Sequence, residues 1–166
     1  MNKDIVFKEI ATAIYSYPHT EAVDFAKYAN YLVLFATEGL IRGVEYSGGI
    51  ALELTDEGTE KLFEVLFNEV VDSEEFAAIA PEYCDHRITG RGLWYKTEEK
   101  FQNGEYIEVF IYPKNIEEIT AENLANEIRK AIDRELAMEK IDIATAKEER
   151  NWEMLQSVGY TCGIVG

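Results

Sequence analysis

"RGVEYSGGIALELTDEG", Arg42 to Gly58, decides how the first part of the chain folds. "LIRGVEY" and "IALEL" are strand-like runs on either side of Ser47-Gly48-Gly49, so the stretch reads as a short hairpin. Thr55 then stands where a helix N-cap belongs, with acid directly behind it. Gly39, in front of the hairpin, is the expected C-terminal stop of a preceding helix. The stretch sets Glu45, Glu53, Asp56 and Glu57 against a single Arg42. Shape and charge therefore need separate explanations.

Upstream, Ile5, Val6, Ile10, Ala13 and Ile14 recur at helical spacing, and Pro18 ends that helix. Thr20 is the expected N-cap of the next segment, from Glu21. Its apolar stripe is Phe25, Tyr28, Ala29, Leu32, Val33 and Phe35, on one helix or on two with a tight turn near Ala26 to Asn30. Behind the hairpin, Thr55 caps a helix that tolerates Gly58 early and turns Leu62, Phe63, Val65, Leu66 and Val70 inward. The order helix, helix, helix, hairpin, helix is carried by "LVLFATEGLIRG", "GIALELTDEG" and "TEKLFEVLF". It resembles the winged-helix superfamily over about residues 3–71. That resemblance implies a winged helix-turn-helix domain, a kind of domain that usually binds DNA.

Charge argues against DNA as the partner. The chain has 166 residues, with 16 Lys and Arg against 32 Asp and Glu, a formal net charge of -16. Residues 1–75 carry five basic and fifteen acidic side chains, a net of -10, so the winged-helix-like part is the more acidic one. The candidate recognition helix, about Phe25 to Glu38, offers one cation, Lys27. DNA binding requires several Lys or Arg contacts to phosphate, and base readout favours Arg, Asn or Gln, of which only Asn30 is present. Ten Tyr, eight Phe and two Trp argue that the acid sits on a folded surface.

The two cysteines, Cys84 and Cys162, make neither a disulfide framework nor a zinc site. "MNKDIVFKEIATAIYSYP" has no apolar core of signal-peptide type, and no apolar run approaches membrane-spanning length. The expected setting is cytoplasmic, with no membrane partner, no cofactor and no metal.

"DSEEFAAIAPEYCDH" reads as a boundary, which gives an acidic winged-helix-like domain over 1–75 and a second domain over 76–166. In the second, "GLWYKTEEKFQNGEYIEVFIY" is a hairpin with strands near 92–101 and 105–112. Asn103-Gly104 suits a type I′ turn, and the second strand looks buried on both faces. A long amphipathic helix comes next, capped at Thr120 with Asn123 at its third position. Ile128, Ala131, Ile132, Leu136 and Met138 lie near its apolar face. A further helix, separate from the long one or continuous with it, covers about Ala144 to Ser157, ended by Gly159. The uncharged tail "GYTCGIVG" could dock as a strand, on its own sheet or on a neighbour's, with its own chain the favoured place. The fold class is α+β: a winged-helix-like part, then a β-hairpin packed on one or two helices.

Chemistry is thin. "CDHRITGRG" could pair Cys84 as nucleophile with His86 as base, making a small enzyme, or hold an anion through His86, Arg87, Arg91 and Lys96. It also reads as an interdomain connection with a buried Cys and solvated charges. No third, orienting residue is identifiable. The expected function is an interaction module without catalysis, which binds and inhibits or regulates a basic nucleic-acid-handling protein such as a nuclease complex. In size and charge the chain is similar to small acidic anti-CRISPR and anti-restriction proteins of phages and mobile elements, and that similarity implies nucleic-acid mimicry in a host cytoplasm. The surface expected to carry it combines Asp24, Glu38, Glu45, Glu53, Asp56, Glu57, Glu60 and Glu64, with Tyr28, Tyr31 and Tyr46 as aromatic anchors. A winged-helix transcriptional regulator or adaptor, binding protein or binding DNA as a homodimer, is the alternative.

Overall fold

The computed structural model describes residues 2–17, 19–148 and 152–157. Those residues form an α+β chain with six helices and two small antiparallel sheets. It divides into two compact units: residues 1–70 with 89–91, and residues 71–88 with 92–166.

The first unit opens with α1 (Lys3–Ser16), whose N-cap Asn2 accepts a hydrogen bond from the Asp4 N–H. Val6, Phe7, Ile10, Ala11 and Ile14 are buried, whereas Ile5, expected inward, is exposed. Tyr17 is extended and ends the helix, and Pro18 lies outside the described residues. Thr20 is not the cap of the next segment. Its hydroxyl donates to the Tyr17 carbonyl at 2.7 Å, and the 3-10 helix over Ala22–Tyr28 has no side-chain cap. Phe25, at φ -115° and ψ 29°, interrupts the helical geometry, and α2 (Ala29–Thr37) comes after it. The chain therefore takes the two-helix version of this stretch.

α2 closes in a Schellman motif. Gly39 sits at φ +78°, the Leu40 N–H reaches the Phe35 carbonyl at 2.9 Å, and the Gly39 N–H reaches that of Ala36 at 3.1 Å. β1 (Ile41–Tyr46) and β2 (Gly49–Leu54) then pair, from Ile41 opposite Leu54 to Tyr46 opposite Gly49. The turn is thus Ser47-Gly48, with Gly49 already in the strand. The segment leaving α1 lies along β2: Glu21 bridges Ala51, and the Leu52 N–H donates to the Thr20 carbonyl at 2.8 Å.

Thr55 clasps the base of the hairpin. Its N–H donates to the Leu40 carbonyl at 3.1 Å and its hydroxyl to the Gly39 carbonyl, while the same oxygen accepts from the Gly58 N–H at 3.0 Å. This caps α3 (Asp56–Val71). Gly58 is required here, because a Cβ would stand 1.8 Å from the Leu40 oxygen. Phe7 meets Phe35 edge-on at 5.2 Å, and Phe63 meets Tyr15 and Phe67 at 6.2 and 6.4 Å. Burying each large apolar side chain contributes about 1.5–3 kcal/mol, and each ring pair adds about 0.5–1.5 kcal/mol.

In the second unit, the stretch read as a boundary, residues 72–86, carries regular structure. A short helix, α4 (Glu74–Ile79), is capped by Ser73, whose Oγ accepts from the Phe76 N–H at 3.1 Å, and it buries Phe76. The polar stretch after it is a strand, β3 (Tyr83–Thr89), the first of a three-stranded sheet in the order β3-β4-β5, with β4 (Gly92–Lys100) and β5 (Tyr106–Ile111). β5 is buried on one face only. Ile107, Val109 and Ile111 point inward, while Tyr106, Glu108 and Phe110 point to solvent. The β4–β5 connection is not a type I′ turn. The Gly104 N–H donates to the Phe101 carbonyl and the Phe101 N–H to that of Glu105, a three-residue loop with Gly104 at φ +89° in its last position.

α5 (Ala121–Glu148) packs on β5 and α4, with the Thr120 hydroxyl accepting from the Asn123 N–H at 3.2 Å. Leu124, Ile128, Ala131 and Ile132 are buried, but Met138, expected on the apolar face, is exposed. α6 (Trp152–Ser157) sets Leu155 against Ile143 and Ala146. Gly159, Cys162 and the uncharged tail lie outside the described residues.

Candidate interaction surface on the first unit

α2 has no charged side chain. It turns Phe35 fully inward and leaves Val33 68% and Leu34 38% exposed. Ala29, Asn30, Ala36 and Thr37 are exposed as well. The sequence stripe that placed Val33 and Ala29 in the core is corrected by this. Residues on every side of a helix cannot all face one neighbour, and Phe25 and Phe35 take the core positions.

Tyrosines flank this face. Tyr28 and Tyr31 meet edge-on at 6.3 Å, and Tyr31 lies 6.0 Å from Phe35. The Tyr28 hydroxyl donates to Glu9 at 2.7 Å, and that hydrogen bond raises its pKa. Lys27 is held over the Tyr28 ring and beside Glu9.

The acid falls into two groups. At one end, the Thr55 clasp sets the C-terminus of α2 beside the first turn of α3, bringing Glu38 toward Asp56 and Glu57. Asp56, Glu60 and Glu64 succeed one another at helical spacing along α3, about 6 Å of rise per step, and all are exposed. Lys3 pairs with Glu38 at 2.5 Å, Lys61 with Glu64 at 3.8 Å and Arg91 with Asp56 at 4.0 Å. Exposed pairs of this kind contribute little stability and are easily exchanged for other partners. Among the described residues Glu45, Glu57 and Glu60 form no ion pair.

At the other end, the Tyr46 hydroxyl donates to Glu21, and Asp24 adds its charge, so the Tyr46 pKa is raised first by that hydrogen bond. Arg42 pairs with Glu53 across the hairpin at 2.9 Å. Val44 and Ile50 are 40% and 46% exposed. Sequence reasoning missed these outward apolar residues, Val33, Leu34, Val44 and Ile50. The excess width of the apolar stripe was a signal for Val33 alone; Val44 and Ile50 stand on the hairpin, outside that stripe.

Each residue read as part of an anion site has neighbours of its own. Arg87 lies near Asp85 and over Trp94, Arg91 lies over Phe63, Lys96 lies over Tyr106, and His86 meets the Tyr83 ring edge at 5.2 Å. Cys84 is exposed, against the reading that buried it, and its thiol reaches the Thr97 carbonyl at 3.6 Å. No hydrogen bond joins it to His86 among the described residues. In those residues no group of three His, Cys, Asp or Glu could hold a metal, and no helix is long and apolar enough to cross a membrane. The chain matches no family model, no curated protein and no solved structure.

Proposed function

We propose that the chain is an interaction module whose first unit binds a basic, nucleic-acid-handling protein, with α2 as the apolar centre of the contact and the surrounding acid as its rim. The observation that carries this is α2 itself. At the place where a DNA reader needs cations, it exposes Val33 and Leu34 and has no charge. An apolar centre with a charged rim is the usual anatomy of a protein contact, in which rim charge raises association rate more than affinity. Acid spaced along α3 supports imitation of a phosphate backbone. We read the unit as a winged-helix-type domain. The helix–hairpin–helix order supports this, as does the strand-like segment at Glu21 beside β2.

The test is capture of partners by the full chain, with duplex DNA as competitor. Basic proteins released by DNA are expected. Asp56→Lys, Glu57→Lys and Glu60→Lys together should abolish capture with folding intact. Because lysine in the first turn also opposes the helix dipole, the pair Glu60→Lys and Glu64→Lys provides a second variant and should weaken capture too. Direct binding of duplex DNA at physiological salt, or unchanged capture by both variants, overturns the proposal.

A further inference from the structure

Among the described residues of this acidic chain, nine cations stand in ion pairs, each with its own carboxylate, and Lys96 and Lys100 lie over the Tyr106 ring. Lys114, Arg134 and Lys140 have neither kind of partner among those residues. Two of the three, Lys114 and Arg134, line one cavity of about 460 Å³ in the second unit, together with Lys130. Its walls are the end of β5, the loop after it and the first turns of α5. That volume lies within the range of small-molecule clefts.

The cavity also offers a ring and amides. Tyr112 is 67% exposed, and its ring lies over Gly92, where a Cβ would stand 2.4 Å from a ring carbon. The Phe110 ring is parallel to it, at 7° with centroids 6.3 Å apart. Asn123 and Asn126, on α5, line it as well. Asn123 and Arg134 are eleven residues apart on α5, about 16 Å of rise, so the groove is long. Two carboxylates are present and both are engaged: Glu118 accepts from the Lys114 backbone N–H at 2.8 Å, and Glu127 pairs with Lys130 at 3.5 Å.

We propose that this cavity binds a nucleoside phosphate. The base stacks on Tyr112, the amides of Asn123 and Asn126 meet its polar edge or the sugar, and Lys114, Lys130 and Arg134 hold the phosphates. Lys130 and Arg134 are one turn apart and share a face of α5. A small anion fits better than a polymer, because the net charge of -16 repels an extended polyanion beyond the cavity, while a short phosphate meets the three local cations against two carboxylates that are already engaged.

Calorimetric titration of the full chain tests this with ADP, adenosine, inorganic pyrophosphate and a short thymidine oligonucleotide as separate probes. ADP should bind more tightly than any of the other three. Arg134→Glu should weaken ADP about tenfold or more, the range of one charge-assisted contact. Lys140→Glu makes the same charge change on the same helix outside the cavity and should alter binding by less than about twofold. Tyr112→Ala should weaken ADP and leave pyrophosphate unchanged. Melting curves check that each variant folds, and Arg134→Gln replaces the reversal if it does not. The proposal is overturned by no ADP binding at millimolar concentration, by equal losses at Arg134 and Lys140, by an unaffected Tyr112→Ala, or by an oligonucleotide that outcompetes ADP.

Discussion

Gly58 and Gly104 show how differently two glycines can be required. Gly58 is helical, but its Cα faces the Leu40 carbonyl so closely that a methyl group would stand 1.8 Å from the oxygen. At Gly104 a methyl group would meet nothing within 4 Å, and the φ of +89° is the constraint. Gly58→Ala must therefore push backbone against backbone, at a cost of about 3 kcal/mol or more. Gly104→Ala meets only the left-handed penalty of about 1–2 kcal/mol. Urea denaturation of the two variants should show the larger midpoint shift for Gly58→Ala. The reverse order would mean that the junction between α2 and α3 relaxes freely.

At the scale of elements, the β1–β2 hairpin, α3, β4, β5 and α5 were legible as elements, although the single buried face of β5 was not. α4 and β3 were not. α4 has six residues and buries one side chain, Phe76, so no period can show. β3 reads Tyr-Cys-Asp-His-Arg-Ile-Thr and has no fully buried position, so its alternation lacks apolar contrast. The acid of the candidate surface could be counted from the chain, but the outward turn of Val33 could not. Which part of a wide stripe is core depends on where Phe7 sits, because its ring meets Phe35.

Glu98 on β4 and Glu82, the residue before β3, also supply a pH dependence. The Glu98 N–H donates to the Glu82 carbonyl, and the Glu98 carboxyl is held above the usual range, first by a hydrogen bond with the Glu82 side chain and then by its charge. Folding thus favours the protonated form. The stabilisation is complete below the ordinary carboxylate value and is lost as pH rises through the folded value. At neutral pH the two carboxylates repel. Glu98→Gln should raise the melting temperature at pH 7, and the gain should disappear near pH 4. A variant that melts below the parent chain at neutral pH would exclude this account.

For the whole molecule, sixteen more acids than bases make self-repulsion the main long-range term. The nine ion pairs of the described residues involve exposed or half-exposed partners and are worth little each. Screening should therefore relieve more repulsion than it removes attraction. The melting temperature is expected to rise from about 0.01 M to about 0.15 M salt, as the Debye length falls from about 30 to about 8 Å. Capture of a basic partner should weaken over the same interval, mainly through slower association. A melting temperature that falls with added salt would show that attraction between opposite charges dominates.

The Thr55 clasp has a consequence for chain entropy. With Leu40 and Thr55 joined by a backbone hydrogen bond, the segment between them is a ring closed at its base, and its tip, Ser47-Gly48, is free of that closure. Each doubling of a flexible ring's length costs only about 0.6 kcal/mol. Foreign residues grafted between Ser47 and Gly48 would lengthen the ring without loosening its knot. The hairpin tip is thus a point where this chain can accept a new segment at little cost while the two helices at its base keep their positions.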